Sequence, residues 1–259
     1  MSSSAGEHPG TAHVEIVATE HASSFVVRMG GRDQSYVDLA DPTRLVFDYV
    51  RRMGDVVDAM AAPRAPVRVV HVGGAGLSLA RYVAATRPGS AQVVLEPDAA
   101  LTTRVRAELP LVRRSGIKVR PVDGVTGVGA LRDAYAELVI VDAYADGEVP
   151  RDLLTPAFLG DVDRVLEFGG LLLLNLADRA PFPVARRVVA GIRGVFDHVV
   201  ISAEPATLRG RRAGNLLLVA GNDGVPLAAL SRSAVSSAAP YRVLAQGQVS
   251  DFFGGGSAF

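Results

Sequence analysis

The apolar positions along this chain change their pattern near residue 67. From there on, short apolar strands alternate with segments whose apolar residues recur at helical spacing. The strands are predicted at residues 67–72, 92–95, 118–122, 138–141 and 170–175. Strands that alternate with helices pair in parallel through right-handed crossovers, which place helices on both faces of the sheet. The pattern therefore predicts a doubly wound α/β fold.

The end of this sheet follows a different pattern. After a helix predicted at 184–195 come two strands rich in Val and Leu, at 198–203 and 215–220, joined by a polar loop. A connection of that length without a helical pattern cannot form a parallel crossover, so the pair is predicted to be an antiparallel hairpin. The result is a mostly parallel seven-stranded sheet with a terminal antiparallel hairpin. This ending is typical of the methyltransferase-like Rossmann fold, whereas dinucleotide-binding domains normally end in another parallel strand.

A small β appendage is predicted before the sheet. Three short strands rich in Val, at 13–19, 25–29 and 35–39, surround a tight turn at Gly30 and Gly31. A helix is then predicted to begin at residues 41–42 and to end before residue 63, because apolar residues recur at helical spacing between them.

These elements divide the chain into four predicted parts. They are a disordered tail at 1–12, a β-hairpin and helix region at 13–62, a methyltransferase-like nucleoside-binding domain at 63–222 and a C-terminal extension at 223–259. The last nine residues of that extension contain three consecutive glycines, which predict a flexible tail. Exposed edges of the N-terminal strands favour a homodimer.

Composition excludes several classes of function. The 259 residues carry 27 basic and 27 acidic side chains, a balance that does not favour nucleic acid as a partner. The absence of cysteine excludes disulfides, thiolate metal sites and cysteine nucleophiles. Lys118 is the only lysine, which argues against Schiff-base chemistry and Walker-type phosphate loops. The histidines lack metal-ligand spacing, so we expect no metal.

Targeting signals are not found in the sequence. The first eleven residues have no basic region followed by an apolar stretch, as a signal peptide would. The most apolar runs stop well short of the roughly 18 residues that a membrane span needs. We therefore expect a soluble cytoplasmic protein without a membrane partner.

A glycine-rich turn follows the first strand of the predicted sheet. Gly73, Gly74, Ala75 and Gly76 lead directly into a helix. Glycines at this point let the backbone approach a ligand at a helix N-terminus, where free amides and the positive end of the dipole lie. The alternative is a tight strand-to-helix turn that binds nothing.

Two acidic residues end the next two strands. Glu96 lies 20 residues after Gly76, where a carboxylate can accept both ribose hydroxyls of an adenosine group. The alternative is a surface acid before a proline. Asp123 precedes Gly124, where the carboxylate could accept from an adenine amino group. A turn-forming Asp-Gly pair explains Asp123 almost equally well.

Asp142 ends the fourth strand and is the best candidate for a catalytic group. In an open parallel sheet ligands bind outside the carboxyl ends of the strands, so this side chain should face the cleft. A carboxylate there can take the proton from an amine nucleophile, which must be neutral to attack. Acids after Asp142 would also attract a cation, although Asp146, Glu148 and Asp152 are better explained by a solvated loop.

Taken together, these residues resemble the spermidine synthase family, and more closely its diverged actinobacterial spermidine-synthase-like branch. The resemblance covers about residues 34–220. It rests on six strings of residues: Gln34-Ser35-Tyr36-Val37-Asp38-Leu39, the glycine turn with Glu96, Asp123-Gly124, Val141-Asp142-Ala143-Tyr144, Val149-Pro150 with Leu153-Leu154-Thr155, and Leu166-Glu167-Phe168-Gly169-Gly170-Leu171.

The resemblance implies a cleft that binds S-adenosylmethionine or its decarboxylated form as a co-substrate. Asp142 would be the base in aminopropyl transfer to a small-molecule amine, in polyamine biosynthesis. Gln34 would lie near the donor nucleoside. Tyr36, Tyr144 and Asp146 are the candidate residues for binding the substrate.

Departures from the family pattern leave other functions open. The family's glycine turn carries an Asp that pairs with the donor's ammonium group, and here Gly76 stands at that position. The segment Phe47-Asp48-Tyr49 replaces the family's Tyr-His-Glu, and the second Asp of the catalytic loop is displaced to Asp146. The alternatives are a methyltransferase that uses S-adenosylmethionine and a non-catalytic nucleoside-binding protein.

Overall fold

The computed structural model describes residues 13–145 and 147–259, so the predicted tail at 1–12 and the candidate Asp146 lie outside the described residues. The strands are β1 (Val14–Ala18), β2 (Ser24–Met29), β3 (Arg32–Asp38), β4 (Arg68–Val72), β5 (Ala91–Leu95), β6 (Ile117–Arg120), β7 (Ala136–Val141), β8 (Leu166–Asp178), β9 (His198–Ala203), β10 (Gly214–Gly221) and β11 (Arg242–Leu244). The helices are α1 (Asp48–Ala59), α2 (Ser78–Thr86), α3 (Ala99–Glu108), α4 (Gly124–Gly129), α5 (Pro156–Val165), α6 (Pro183–Arg193), α7 (Pro205–Leu208), α8 (Leu227–Ser236) and α9 (Gln246–Phe253).

The large sheet has the order β11-β9-β10-β8-β7-β4-β5-β6. Strands β4 to β8 pair in parallel, and β10 runs antiparallel to both β8 and β9. The predicted doubly wound sheet with its terminal hairpin is therefore confirmed. One strand was not predicted: the three-residue β11 pairs antiparallel with β9 and makes the sheet eight-stranded. Within the polar loop predicted at 204–214, residues 205–208 form the short helix α7.

Helices cover both faces of this sheet because its strands are apolar on both sides. One face packs against α5, α6 and α9, and the other against α1, α2 and α8. Side-chain caps fix where several helices begin: Asp98 accepts a hydrogen bond from the backbone amide of Leu101, and Thr155 accepts one from that of Phe158. Within the described residues, no helix is long and apolar enough to cross a membrane.

The N-terminal appendage is a separate antiparallel sheet of order β1-β2-β3. Its buried residues Val27 and Val37 pack against Leu77 and Ala80 at the start of α2, and against Val94 of β5. This contact places β3 beside the turn that follows β4. Pairing of this sheet across a homodimer stays a prediction.

The first helix begins later than predicted. It starts at Asp48 rather than at residues 41–42, and the intervening residues form a loop. Two carboxylates stabilise that loop. The Oδ1 of Asp38 accepts from the amides of Ala40 and Asp41, both at 2.9 Å, and the Oδ1 of Asp41 accepts from Thr43 at 3.0 Å. Such side-chain bonds compete with helical hydrogen bonds, which explains the difference.

The C-terminal segment does not form the flexible tail that was predicted. Phe253 of α9 is fully buried, and its ring lies 5.0 Å from that of Phe182. Beyond α9 the chain follows α6, where Arg186 donates to the carbonyl of Gly254 at 2.6 Å. The guanidinium of Arg187 lies 4.0 Å from the ring centre of Phe259. These contacts order a segment whose glycines alone indicate flexibility.

Candidate functional site

A cavity of about 290 Å³ opens at the carboxyl ends of the parallel strands. Most of the predicted site residues line it: Gln34, Tyr36, Gly73, Gly74, Ala75, Glu96, Asp123, Gly124, Asp142 and Tyr144. The structure therefore brings together residues that come from both sheets and are more than a hundred positions apart. Their individual roles stay predictions.

The glycine turn lets two strand ends approach each other closely. Gly73 has a φ of +95°, and a Cβ on it would lie 2.3 Å from the backbone oxygen of Asp142. A Cβ on Gly74 would lie 3.1 Å from the Cβ of Glu96. Because a side chain at Gly73 would collide with backbone, glycine is required there. The turn thus brings the ends of β4 and β7 together at the wall of the cavity.

Glu96 is held by the glycine turn itself. Its Oε2 accepts from the amide of Gly74 at 2.9 Å and more weakly from that of Ala75 at 3.4 Å, while its Oε1 accepts from Asp98 at 3.0 Å. An ionised carboxylate has about four acceptor positions, so it can also accept from hydroxyls of a ligand. The observed geometry is compatible with the predicted ribose contact.

Asp123 caps a helix at the rim of the cavity. Its Oδ1 accepts from the amide of Thr126 at 2.9 Å, and its side chain is otherwise exposed. These hydrogen bonds lower the pKa of Asp123 below its ordinary value. Asp123 therefore takes part in the Asp-Gly turn that was the alternative, while it also lines the cavity, so its contact with adenine stays a prediction. Gly124 is needed beside it, because a Cβ there would lie 2.4 Å from Val72.

Asp142 faces the cavity from the end of β7. Its backbone amide donates to the carbonyl of Val72 at 2.9 Å, and its Oδ1 accepts from Nδ2 of Asn175 at 2.9 Å. Burial raises the pKa of Asp142 above its ordinary value, and the hydrogen bond from Asn175 opposes that rise. A carboxylate with a raised pKa at a binding cavity is suited to accept a proton.

Two aromatic residues that were not predicted as site residues also lie at the cavity. Phe47 and Tyr49 stack with ring centres 6.1 Å apart, and both line the cavity. Burial and the nearby Asp142 raise the pKa values of Tyr49 and Tyr144, which keeps both phenols neutral. The departure of the segment 47–49 from the family pattern was the available signal for these residues.

Gly76 lies differently from its prediction as a ligand-binding residue. It is not among the described residues that line the cavity, and its amide donates to Oγ of Ser35 at 3.0 Å. The hydroxyl of Ser78 donates to the carbonyl of Tyr36 at 2.6 Å. These two bonds fasten β3 to the start of α2, with Gln34 and Tyr36 turned toward the cavity. Gly76 therefore packs against the N-terminal sheet.

The charged side chains around the cavity are acidic. Glu96, Asp123, Asp142 and Asp152 line it, and no arginine or lysine does among the described lining residues. His71 contributes no positive charge, because burial lowers its pKa to about 4, although the hydrogen bond between its Nε2 and Oε1 of Gln92, at 2.9 Å, acts to raise that pKa. In the part of the chain that is described, no group of three metal-ligating side chains is found. The lining favours a cation.

Comparison with known proteins identifies similar structures. A crystal structure of a probable spermidine synthase from Corynebacterium glutamicum superposes with a TM-score of 0.87 at 26% identity, over 98% of this chain and 96% of that chain. A spermidine synthase in complex with the transition-state analogue AdoDATO has a TM-score of 0.61 at 14% identity, over 96% and 83% of the two chains. Human methyltransferase-like protein 13 in complex with SAH has a TM-score of 0.57 at 22% identity, over 68% and 82%. The last two likenesses concern the fold alone. No protein-family model and no curated protein sequence matches the chain.

Proposed function

We propose that this chain, a spermidine-synthase-like protein with the methyltransferase fold, transfers an aminopropyl group from decarboxylated S-adenosylmethionine to a small-molecule amine. One observation carries the proposal. The partly buried carboxylate of Asp142 shares a cavity with the glycine turn and Glu96, and the charges that line this cavity are acidic.

The charge of the donor supports this choice over S-adenosylmethionine itself. At neutral pH the decarboxylated donor carries a sulfonium and an ammonium group and no anion. S-adenosylmethionine adds a carboxylate, for which no arginine or lysine is found among the described lining residues. An anion without a partner beside Glu96 and Asp142 is disfavoured, because like charges repel strongly at low dielectric.

The reaction follows from the position of Asp142. The acceptor amine loses its proton to the carboxylate, and the free nitrogen attacks the aminopropyl carbon bonded to sulfur. The carbon–nitrogen bond forms while the carbon–sulfur bond breaks. Its electron pair returns to sulfur, so that the sulfonium becomes the neutral thioether methylthioadenosine. The faces of Phe47, Tyr49 and Tyr144 suit a cationic amine that approaches this carboxylate.

The proposal is tested by product analysis with each donor. The purified chain is incubated with S-adenosylmethionine or its decarboxylated form and a panel of amines, and nucleoside products are separated by mass spectrometry. Methylthioadenosine that appears only with the decarboxylated donor and an amine supports aminopropyl transfer. S-adenosylhomocysteine identifies a methyltransferase instead. Binding of a donor without either product identifies a nucleoside-binding protein. Each of these last two results refutes the proposal.

Variants of two cavity acids assign the proton acceptor. Asp142→Asn is expected to abolish turnover while it leaves nucleoside affinity nearly unchanged, because the carboxylate acts on the acceptor. The control is Asp152→Asn, which removes an exposed acid from the same cavity and is expected to keep most of the activity. Equal activity of Asp142→Asn and the native chain would remove Asp142 from the mechanism.

A further inference from the structure

A row of polar side chains crosses three neighbouring strands below the cavity. Nδ2 of Asn175 on β8 donates to Oδ1 of Asp142 at 2.9 Å. Nδ2 of Asn215 on β10 donates to Oδ1 of Asn175 at 3.0 Å. The register explains the contact: Val141 pairs with Leu174, so Asp142 and Asn175 are neighbours. Asn215 lies two residues before Leu217, the partner of Asn175, and so on the same face.

Asn175 is unusual for its position. It interrupts a run of leucines in the middle of the sheet and has no exposed surface. A buried amide is costly unless both its donor and its acceptor are bonded. Here the nitrogen donates a hydrogen bond to Asp142 and the oxygen accepts one from Asn215, so the strands on either side each provide one partner for the amide.

The orientation of both amides follows from the carboxylate. An ionised carboxylate accepts hydrogen bonds and donates none. Asn175 must therefore turn its nitrogen toward Asp142, which leaves its oxygen toward Asn215. Asn215 must in turn present its own nitrogen. Every donor in the row points toward Asp142, an arrangement that matches the ionised form of the carboxylate.

We propose that Asn175, oriented by Asn215, is a positioning residue that holds the Asp142 carboxylate in one rotamer and in its ionised form. One carboxylate oxygen is thereby fixed against the sheet, and the other is left for the proton of the acceptor amine. The assignment of that proton transfer rests on the proposed function, whereas the orientation and the ionisation do not.

The other groups around Asp142 do not supply this effect. From α1 and from the loop after β7, Tyr49 and Tyr144 face the carboxylate, and both are neutral phenols with raised pKa values. From β4, His71 lines the same cavity as a neutral ring bonded to Gln92. The amide of Asn175 is the group that lowers the pKa of Asp142 against the effect of burial.

The test is a titration of the Asp142 carboxyl carbon by NMR in the ligand-free full chain, labelled with ¹³C at aspartate. The signal is assigned by its loss in Asp142→Asn. Asn175→Leu removes the amide and keeps a similar side-chain volume. It is expected to raise the midpoint of the Asp142 titration by about one pH unit, because that shift corresponds to the free energy of one hydrogen bond to a charged group. Asn215→Leu is expected to raise this midpoint by a smaller amount. If Asn175→Leu does not fold, the midpoint in Asn215→Leu tests the proposal in its place.

A matched control and an activity profile complete the design. Asn222 also donates its Nδ2 to a carboxylate, that of Asp163 at 2.7 Å, outside the cavity, so Asn222→Leu is expected to leave the midpoint unchanged. In chains that turn over, the acid limb of kcat should move with the NMR midpoint. An unchanged midpoint in both test variants, or an equal shift in Asn222→Leu, overturns the proposal. A shift in a chain that releases no methylthioadenosine keeps the positioning role and refutes the proposed function.

Discussion

A side chain at Gly76 tests how the N-terminal sheet packs on the glycine turn. A Cβ added there would lie 2.8 Å from the Cβ of Ser35, 2.9 Å from Cγ2 of Val37 and 3.1 Å from Cγ2 of Val27. Ordinary contacts between carbon atoms are about 3.5–4.0 Å, so the strands β2 and β3 must move away from the turn. The glycine is therefore required by packing.

The magnitude follows from that displacement. Overpacking of a buried site costs about 1–3 kcal/mol. The movement also strains the hydrogen bonds from Gly76 to Ser35 and from Ser78 to Tyr36, each of which contributes about 0.5–1.5 kcal/mol to stability. We expect Gly76→Ala to lose about 2–4 kcal/mol of stability. In a chain of this size, each kcal/mol lowers Tm by about 2–4 °C, which gives a fall of at least about 4 °C.

The assay is thermal unfolding followed by circular dichroism, with Gly160→Ala as the control. Gly160 lies inside α5, and a Cβ there would meet nothing within 4 Å, so alanine should be neutral or slightly stabilising. Gly76→Asp, which restores the acid of the family pattern, should unfold at a still lower temperature than Gly76→Ala, because it also buries a carboxylate. A Gly76→Asp variant with native Tm and higher activity would refute this reasoning.

Three further predictions concern the site. Gly73→Ala is expected to reduce activity at least tenfold and stability by about 1–3 kcal/mol, measured by turnover and urea unfolding, because its Cβ would meet the backbone of Asp142. Burial lowers the pKa of His71 from 6.5 to about 4 in the folded chain. As pH falls, His71 is therefore protonated in the unfolded chain before it is protonated in the folded chain, which favours unfolding. Stability should drop by about 3 kcal/mol between pH 7 and 4, and His71→Leu should lack this part of the slope. Burial raises the pKa of Asp142, so Asp142→Asn should have a higher Tm than the native chain at pH 7, with a difference that narrows as pH falls.

The parallel strands could be predicted because they are buried on both faces. Such strands appear in the sequence as continuous apolar runs, and the acids Glu96 and Asp142 stand where two of these runs end. Their meeting at one cavity follows from the common direction of the strands. Strand β11 gave no comparable signal, because its three residues pair only where β9 offers a free edge.

Other features depend on contacts that sequence patterns do not show. The burial of Phe253 needs α6 and the ring of Phe182 beside it. Tyr49 lies in the first turn of α1, which begins at Asp48 after a loop that the side-chain hydrogen bonds of Asp38 and Asp41 stabilise. Asn175 had a signal, an amide within a run of leucines, but its partner on β10 is visible only in the folded sheet.

The central claim is that the cavity between the glycine turn, Glu96 and Asp142 binds an adenosyl sulfur compound. The most direct test measures the Tm of the native chain and of Glu96→Ala in the presence of decarboxylated S-adenosylmethionine, methylthioadenosine or NAD. Each compound that binds the native chain is added at about 100 times its Kd for that chain. Such saturation adds about 2.7 kcal/mol, or about 5–11 °C in a chain of this size. We expect that rise with the first two compounds in the native chain and little of it in Glu96→Ala. A rise with NAD alone, or the same rise in both chains, would contradict the account.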